Sequence, residues 1–284
     1  MALPRATLAT ACTAAFAAFA AGSCAQLGVV SDGTSVSVGR TNSGTMIDPA
    51  RVPDEGDGFW SPPTWRERGA RYGVDELVDL IASVGRKVSA QFPGSRVGVG
   101  DLSRLRGGGA EFHRSHQSGR DADLVLFYTD LAGKPLVNDT MHVFGPDGIA
   151  VGGKVKLDVD RTWAVIRALV TSPEAEVQRI FFYEPLALIV LDHARAIGEP
   201  ELIVDRARAV LRQPGDSAKH DDHMHVRIFC PADDLTYGCI DAGDLGVQGQ
   251  KAPRRFAELT PEQREVLASP MPAMLALVGW AALR

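Results

Sequence analysis

Five of the seven histidines fall in two short clusters. The stretch "SHQSGRDADL" at 115–124 carries His116 and Asp123 with Gly119 between them, and His113 lies three positions before His116. The stretch "HDDHMHVRI" at 220–228 carries His220, His223 and His225. In a strand, residues two apart point to the same side, so His223 and His225 share a face while Met224 and Val226 turn the other way. Asp123 opens an apolar run and can project beside them if the two strands are neighbours. Two imidazoles and one carboxylate, with a fourth position left to water, make the ligand shell of a catalytic zinc ion. Taken alone, a His-x-His on a strand is more often a half-buried structural pair. A lone His-x6-Asp in a loop is a weaker signal still. Both together, each at a loop–strand boundary, favour a metal centre.

Other chemistries find less support. No His-Glu-x-x-His occurs, which excludes the common zincin helix, and no Gly-x-Ser-x-Gly marks a serine nucleophile. The run "RGGGA" at 106–110 lacks the Gly-Lys-Ser/Thr of a phosphate loop and reads as a flexible rim to the site. The net charge is −5 and no long Lys/Arg run exists, so no nucleic-acid partner is expected.

The N-terminus, "MALPRATLATACTAAFAAFAAGSCAQ", has one basic residue, Arg5, before an Ala-rich apolar stretch that ends in small residues. Residues 1–25 are therefore read as a secretory signal, too short and Ala-rich for a membrane span. The "AGSC" before Ala25 resembles a lipobox with Cys24 as candidate lipidation site, although Ala21 stands where Leu is usual. Ordinary cleavage after Ala25 is the alternative. Membrane contact is expected only through such an N-terminal lipid anchor. Export leaves Cys230 and Cys239, nine positions apart, to form a disulfide in an oxidising compartment.

These side chains need a frame. Residues 26–60, rich in Gly, Ser, Thr, Asp and Pro, read as a low-complexity tether; 61–245 as the zinc domain; 246–284 as a helical tail. Leu77, Ile81, Val84 and Val88 have helical spacing, ended by Pro93–Gly94. Asp160 can cap "RTWAVIRALV", Pro185 suits the first turn of "PLALIVLDHARAI", and "ELIVDRARAVLRQ" is read as helical up to Pro214–Gly215. In the tail, Thr260, Pro261 and Gln263 spell a capping box. Strands are expected in "SRVGVGDLS", "DADLVLFYT", "VQRIFFY" and "HMHVRIF". The fold class is α+β: helices packed around a small, mostly antiparallel sheet that carries the zinc site.

At the two histidine clusters the chain resembles the penicillin-insensitive murein endopeptidase family. That family belongs to the group sharing the metal site of lysostaphin, D-Ala-D-Ala metallopeptidases and sonic hedgehog. The group pattern is His-x6-Asp followed by His-x-His with the second His as ligand, and it falls on His116, Asp123 and His225. The family's own additions are "SHQSG", an upstream "GDLS", a Gly-Gly loop, a His at the position of His113, and "HDDHMHVRIFCP". The resemblance spans about residues 60 to 240. It implies a hedgehog/D-Ala-D-Ala-peptidase-like fold and one zinc ion, with a second metal open and His113 as a further metal or outer-shell residue. It assigns acid–base work to His223 and His220. Asp221 and Asp222 either orient His220 or stand as solvated acids. His142 and His193 are read as ordinary structural or surface histidines, and no second metal is assigned to His142 or Asp147.

The implied substrate is cross-linked peptidoglycan, cut between D-alanine and meso-diaminopimelate, in the periplasm or on an envelope lipoprotein of a Gram-negative bacterium. Penicillin should not inhibit, because no serine is acylated. Two rivals stand beside this expectation: a D,D- or L,D-carboxypeptidase of the same group, and a non-catalytic, metal-stabilised module that binds peptidoglycan or a partner.

Overall fold

The computed structural model describes residues 32–241, apart from Pro214, Asp216 and Ser217, and residues 255–272. The expected signal over 1–25, with Cys24, lies outside the described residues. The strands are β1 (Val36–Arg40), β2 (Ser43–Ile47), β3 (Ala50–Arg51), β4 (Glu55–Gly56), β5 (Phe59–Trp60), β6 (Tyr72–Gly73) and β7 (Val97–Val99). They continue as β8 (Asp121–Val125), β9 (Tyr128–Asp130), β10 (Val155–Leu157), β11 (Val177–Phe181), β12 (Leu211–Arg212) and β13 (His223–Ile228). The helices are α1 (Pro63–Arg68), α2 (Asp75–Gln91), α3 (Val159–Val170), α4 (Glu184–Ala196), α5 (Glu201–Val210) and α6 (Pro261–Ala268). None of them is long and apolar enough to cross a membrane.

Seven strands form the main sheet in the order β12-β11-β13-β8-β7-β5-β4. Its pairs are antiparallel except β11–β12 and β5–β7. The α+β class with a mostly antiparallel sheet is thus as expected. The two strands that matter lie side by side: His223 opposes Val125, His225 opposes Asp123 and Arg227 opposes Asp121. Alternation then divides their side chains between two faces. Met224, Val226, Ala122 and Leu124 are buried. Ala122, Leu124 and Val226 pack with Leu77, Leu80, Ile81 and Val84 of α2 and Leu169 of α3. Each fully buried Leu, Ile or Val side chain contributes roughly 1.5–3 kcal/mol, so this face anchors the sheet. The opposite face is left for Asp121, Asp123, His223, His225 and Arg227.

Four local expectations are corrected. Residues 35–60 are not a tether: β1 and β2 pair as a hairpin, and β5 joins the main sheet. Their polar residues are used for hydrogen bonds. Ser37 N–H donates to Asp234 (2.7 Å), its hydroxyl accepts from Arg120 (3.2 Å), and Ser35 exchanges bonds with Asp75. The cap of α3 is Asp158, not Asp160. Asp158 accepts the Arg161 N–H at 3.1 Å, whereas Asp160 falls inside the first turn and pairs with His193 at 3.0 Å. Helix α5 stops at Val210, because Leu211 and Arg212 leave it to pair in parallel with β11. "DADLVLFYT" is two strands, β8 and β9, rather than one.

The helix expected from Leu77 to Val88 is α2, and Pro185 does open α4. The capping box at Thr260 and Gln263 forms, and α6 packs through Leu267. Cys230 and Cys239 are joined in a disulfide. Beside it Asp241 accepts from both the Cys230 N–H (2.8 Å) and Arg120 (2.9 Å), which ties the disulfide loop to the residue preceding β8.

Candidate metal centre

The pairing of β8 with β13 puts Asp123, His223 and His225 on one face. The loop between β7 and β8 supplies His113 and His116. His116 is fully buried and has φ of +63°, a left-handed conformation uncommon for a residue with a side chain. Two bonds hold it there: its N–H donates to Asp121 (3.4 Å), and its ring Nδ1 bonds the Leu102 carbonyl (3.1 Å). Gly119, at φ +77°, makes the return turn, and a Cβ there would lie 2.2 Å from Met46 Sδ. Backbone strain of this kind persists where the surroundings over-determine it, and it clusters at functional sites.

The anchored nitrogens decide where the free lone pairs point. His116 uses Nδ1–H on a carbonyl, so Nε2 carries a lone pair. That Nε2 is buried, has no hydrogen-bond partner, and stands 3.3 Å from Asp123 Oδ1, which is likewise unpartnered. His225 uses Nε2–H on Asp121 Oδ1 (2.7 Å), and its Nδ1 lies 3.7 Å from Asp123 Oδ1. His223 uses Nδ1–H on Asp222 (2.6 Å), and its Nε2 lies 3.5 Å from the same oxygen. Three imidazole nitrogens thus ring one carboxylate oxygen. Buried orphaned acceptors are costly in a folded protein. A cation beside His116 Nε2 and Asp123 Oδ1, within reach of His225 Nδ1, would satisfy the orphaned pair.

His113 stands beside this group. Its ring centroid is 4.1 Å from that of His116, and its Nε2 lies 3.8 Å from Asp123 Oδ2. The ligand atoms of His113, His116 and Asp123 all lie within 4.8 Å of one another. The Nε2 of His113, however, already pairs with buried Asp101 at 3.0 Å. His225 instead has its outward nitrogen satisfied and its inward one free. An imidazole oriented by a carboxylate on its other nitrogen is the usual outer arrangement of a metal ligand.

Charge is arranged around this core. Burial opposes ionisation of Asp123, but His116 and His223 outweigh it and hold its pKa well below the usual range. Asp121 is also lowered against its burial, by Arg227 and His225. Burial and the neighbouring His116 push His225 down to about 4, which keeps the imidazole neutral. His220 is pushed down to about 4 by burial and by His223. His223 goes the other way: against burial, Asp123 and Asp222 push it up to about 10.

All six residues singled out in the sequence therefore converge. His220, whose Nδ1 is buried without a partner, has its ring centroid 5.2 Å from His223 and 5.7 Å from His225. Asp222 orients His223 rather than His220, and Asp221 contributes its carbonyl to the Phe144 N–H (2.8 Å). His142 packs edge-to-face with Tyr128, and His193 pairs with Asp160, apart from this cluster. Sequence reasoning missed Asp121, which bonds His225, Arg227 (2.7 Å) and the His116 backbone, and Asp101 behind His113. The signal for Asp121 was present. It lies two before Asp123, on the same strand face, as Arg227 lies two after His225.

Comparison with known proteins is consistent with this geometry. The model of the penicillin-insensitive murein endopeptidase family matches residues 37–247. Among curated relatives, a penicillin-insensitive murein endopeptidase of Haemophilus influenzae is 26% identical over 71% of this chain and 66% of its own length. Those of Klebsiella pneumoniae (26% identical) and Escherichia coli (28%) align over 72% of this chain and 69% of theirs. The match thus spans about two thirds of the length of these relatives. It takes in β1 to the disulfide loop, with every residue of the centre described above, and the chain belongs to the penicillin-insensitive murein endopeptidase family.

Proposed function

We propose that the protein is a zinc-dependent murein endopeptidase that hydrolyses the D-alanyl–meso-diaminopimelyl cross-links of peptidoglycan. The observation that carries this reading is the convergence of the unpartnered His116 Nε2 and Asp123 Oδ1 with the free Nδ1 of His225. These three residues are the ligand set, and the donor chemistry, two imidazoles and a carboxylate, suits zinc. Zinc bound there acidifies water toward neutrality and polarises a carbonyl.

The remaining work falls to this chain's own side chains. Asp121 holds the His225 ring in the tautomer whose Nδ1 is bare, and Leu102 does the same for His116 Nε2. Asp222 accepts the Nδ1 proton of His223, and Nε2, aimed into the centre and protonated at neutral pH, is the group that gives a proton to the leaving amine. His220, neutral and close to His223, is placed to share that transfer. His113, on Asp101, is assigned an outer position. An enzyme of this kind works in the periplasm or on the envelope, with export through the N-terminal signal and either soluble or lipidated at Cys24.

The test is incubation of the purified protein with cross-linked muropeptide dimers, with and without a chelator, and product identification by mass spectrometry. Conversion of dimers to intact monomers, blocked by chelation and indifferent to penicillin, is expected. Release of a terminal alanine with cross-links intact would make it a carboxypeptidase. No product from zinc-loaded protein would make it a binding module.

A further inference from the structure

We propose that Arg68 is a specificity-determining residue that binds a substrate carboxylate at the mouth of the metal centre. Arg68 is the last residue of α1, and the chain leaves it through Gly69 at φ +70°. Its Nη1 donates to Asp101 Oδ2 at 2.8 Å, and the same oxygen pairs with His113 Nε2 at 3.0 Å. Its guanidinium carbon lies 4.8 Å from the ring centroid of Phe112, the residue before His113. The group is thus held by one edge and one face. Its Nε and Nη2 have no partner among the described residues, and the side chain remains 36% exposed while Asp101 is 2% exposed. A short series of contacts, through Asp101 and His113, links it to Asp123.

Other cations near the centre are not placed for this. Arg71 is buried against backbone carbonyls, Arg120 is taken by Asp241, and Arg227 by Asp121. Arg104, Arg106 and Arg114 are exposed in the loop that carries His113, and they add positive field without a fixed fork. Arg68 alone in this set combines fixation with an open edge. A planar guanidinium offering two parallel donors selects a carboxylate bidentately, and the ordering cost is already met in the free protein.

The inference rests on the endopeptidase reading for its substrate. In a D-alanyl–meso-diaminopimelyl cross-link, the carbon bearing the amide nitrogen also bears a free carboxylate. An anion therefore sits next to the scissile bond. A charge-assisted pair of this kind is worth about tenfold to a hundredfold in binding.

The experiment uses two purified dimers, one with that carboxylate free and one with it amidated. Binding to wild type, R68Q and R68K is measured by calorimetry on chelator-treated full-length protein, where no turnover intervenes. Wild type is expected to favour the free-carboxylate dimer by tenfold or more, with the ratio falling in raised salt. R68Q should bring the ratio close to one, and R68K should fall between. A wild-type ratio near one overturns the proposal. So does an equal loss on both dimers in R68Q, which is what a merely structural role through Asp101 and His113 would give. Hydrolysis of the same dimers by zinc-loaded protein is read separately. A protein that shows the ratio but cuts neither dimer refutes the endopeptidase reading and leaves the carboxylate site standing.

Discussion

Asp121→Asn isolates the part of the centre that lies behind the proposed ligands. The carboxylate is fully buried and serves three groups: His225 Nε2–H at 2.7 Å, Arg227 Nε–H at 2.7 Å and the His116 N–H at 3.4 Å. Asparagine keeps the volume but loses the charge, and its amide can turn an N–H toward His225. In that orientation His225 must give up the tautomer that leaves Nδ1 free. Loss of such a supporting carboxylate typically costs about tenfold to a hundredfold in metal affinity. That is about 1.4 to 2.8 kcal/mol. Stability should fall as well, because the Arg227 guanidinium, 15% exposed, loses its buried counter-charge. Breaking a buried pair from one side costs about 3 kcal/mol, within the reserve of an ordinary domain. The assay is competition for zinc against a chromophoric chelator at fixed pH, with urea unfolding of the metal-free protein alongside. Zinc affinity within threefold of wild type, in a variant that does lose stability, would refute the claim that Asp121 orients His225.

His223→Ala should lower kcat by about 10²- to 10⁴-fold while zinc affinity changes little, separating a proton-transfer role from a ligand role. A parallel fall in bound zinc, measured by atomic absorption, would make His223 a ligand instead. Reducing Cys230–Cys239, or replacing both with serine, should lower stability by roughly 2–3 kcal/mol, read as a shift in the urea midpoint. An unchanged midpoint would show that Asp241 and Arg120 hold the loop unaided. Tyr128 is pushed up to about 12 by burial and then by Asp139. Its acid form is favoured in the folded state, so its contribution is fully present below about pH 10 and is lost as the pH rises toward 12. Tyr128→Phe should cost about 1 kcal/mol at neutral pH through the lost bond to the Val137 carbonyl, and should flatten this alkaline loss. An alkaline unfolding curve that does not change in the variant would count against it.

The sequence by itself determined the chemistry that could be present. Histidine and aspartate at 113, 116, 123, 220, 223 and 225 are recognisable by type and spacing. The period of two in "HMHVRIF" already divides His223 and His225 from Met224 and Val226. Helix α2, with its apolar stripe, and the capping box at Thr260 are legible for the same reason: their signals are local, carried by residues within a turn or two of each other. Whatever depends on which segments meet was decided only by the tertiary structure. No local rule states that β8 lies beside β13 in the register that sets Asp123 against His225 and Asp121 against Arg227. Asp158 displaces Asp160 as the cap because the chain enters α3 from an extended segment. Leu211 and Arg212 leave a helical pattern because β11 offers them an edge. The segment 35–60, rich in turn-forming residues, is ordered by partners some 40 and 197 positions away, Asp75 and Asp234. Asp222 turning to His223, Asp101 standing behind His113 and Arg68 reaching across from α1 are likewise contacts between distant segments. They follow from long-range burial and pairing energies, to which sequence spacing is blind.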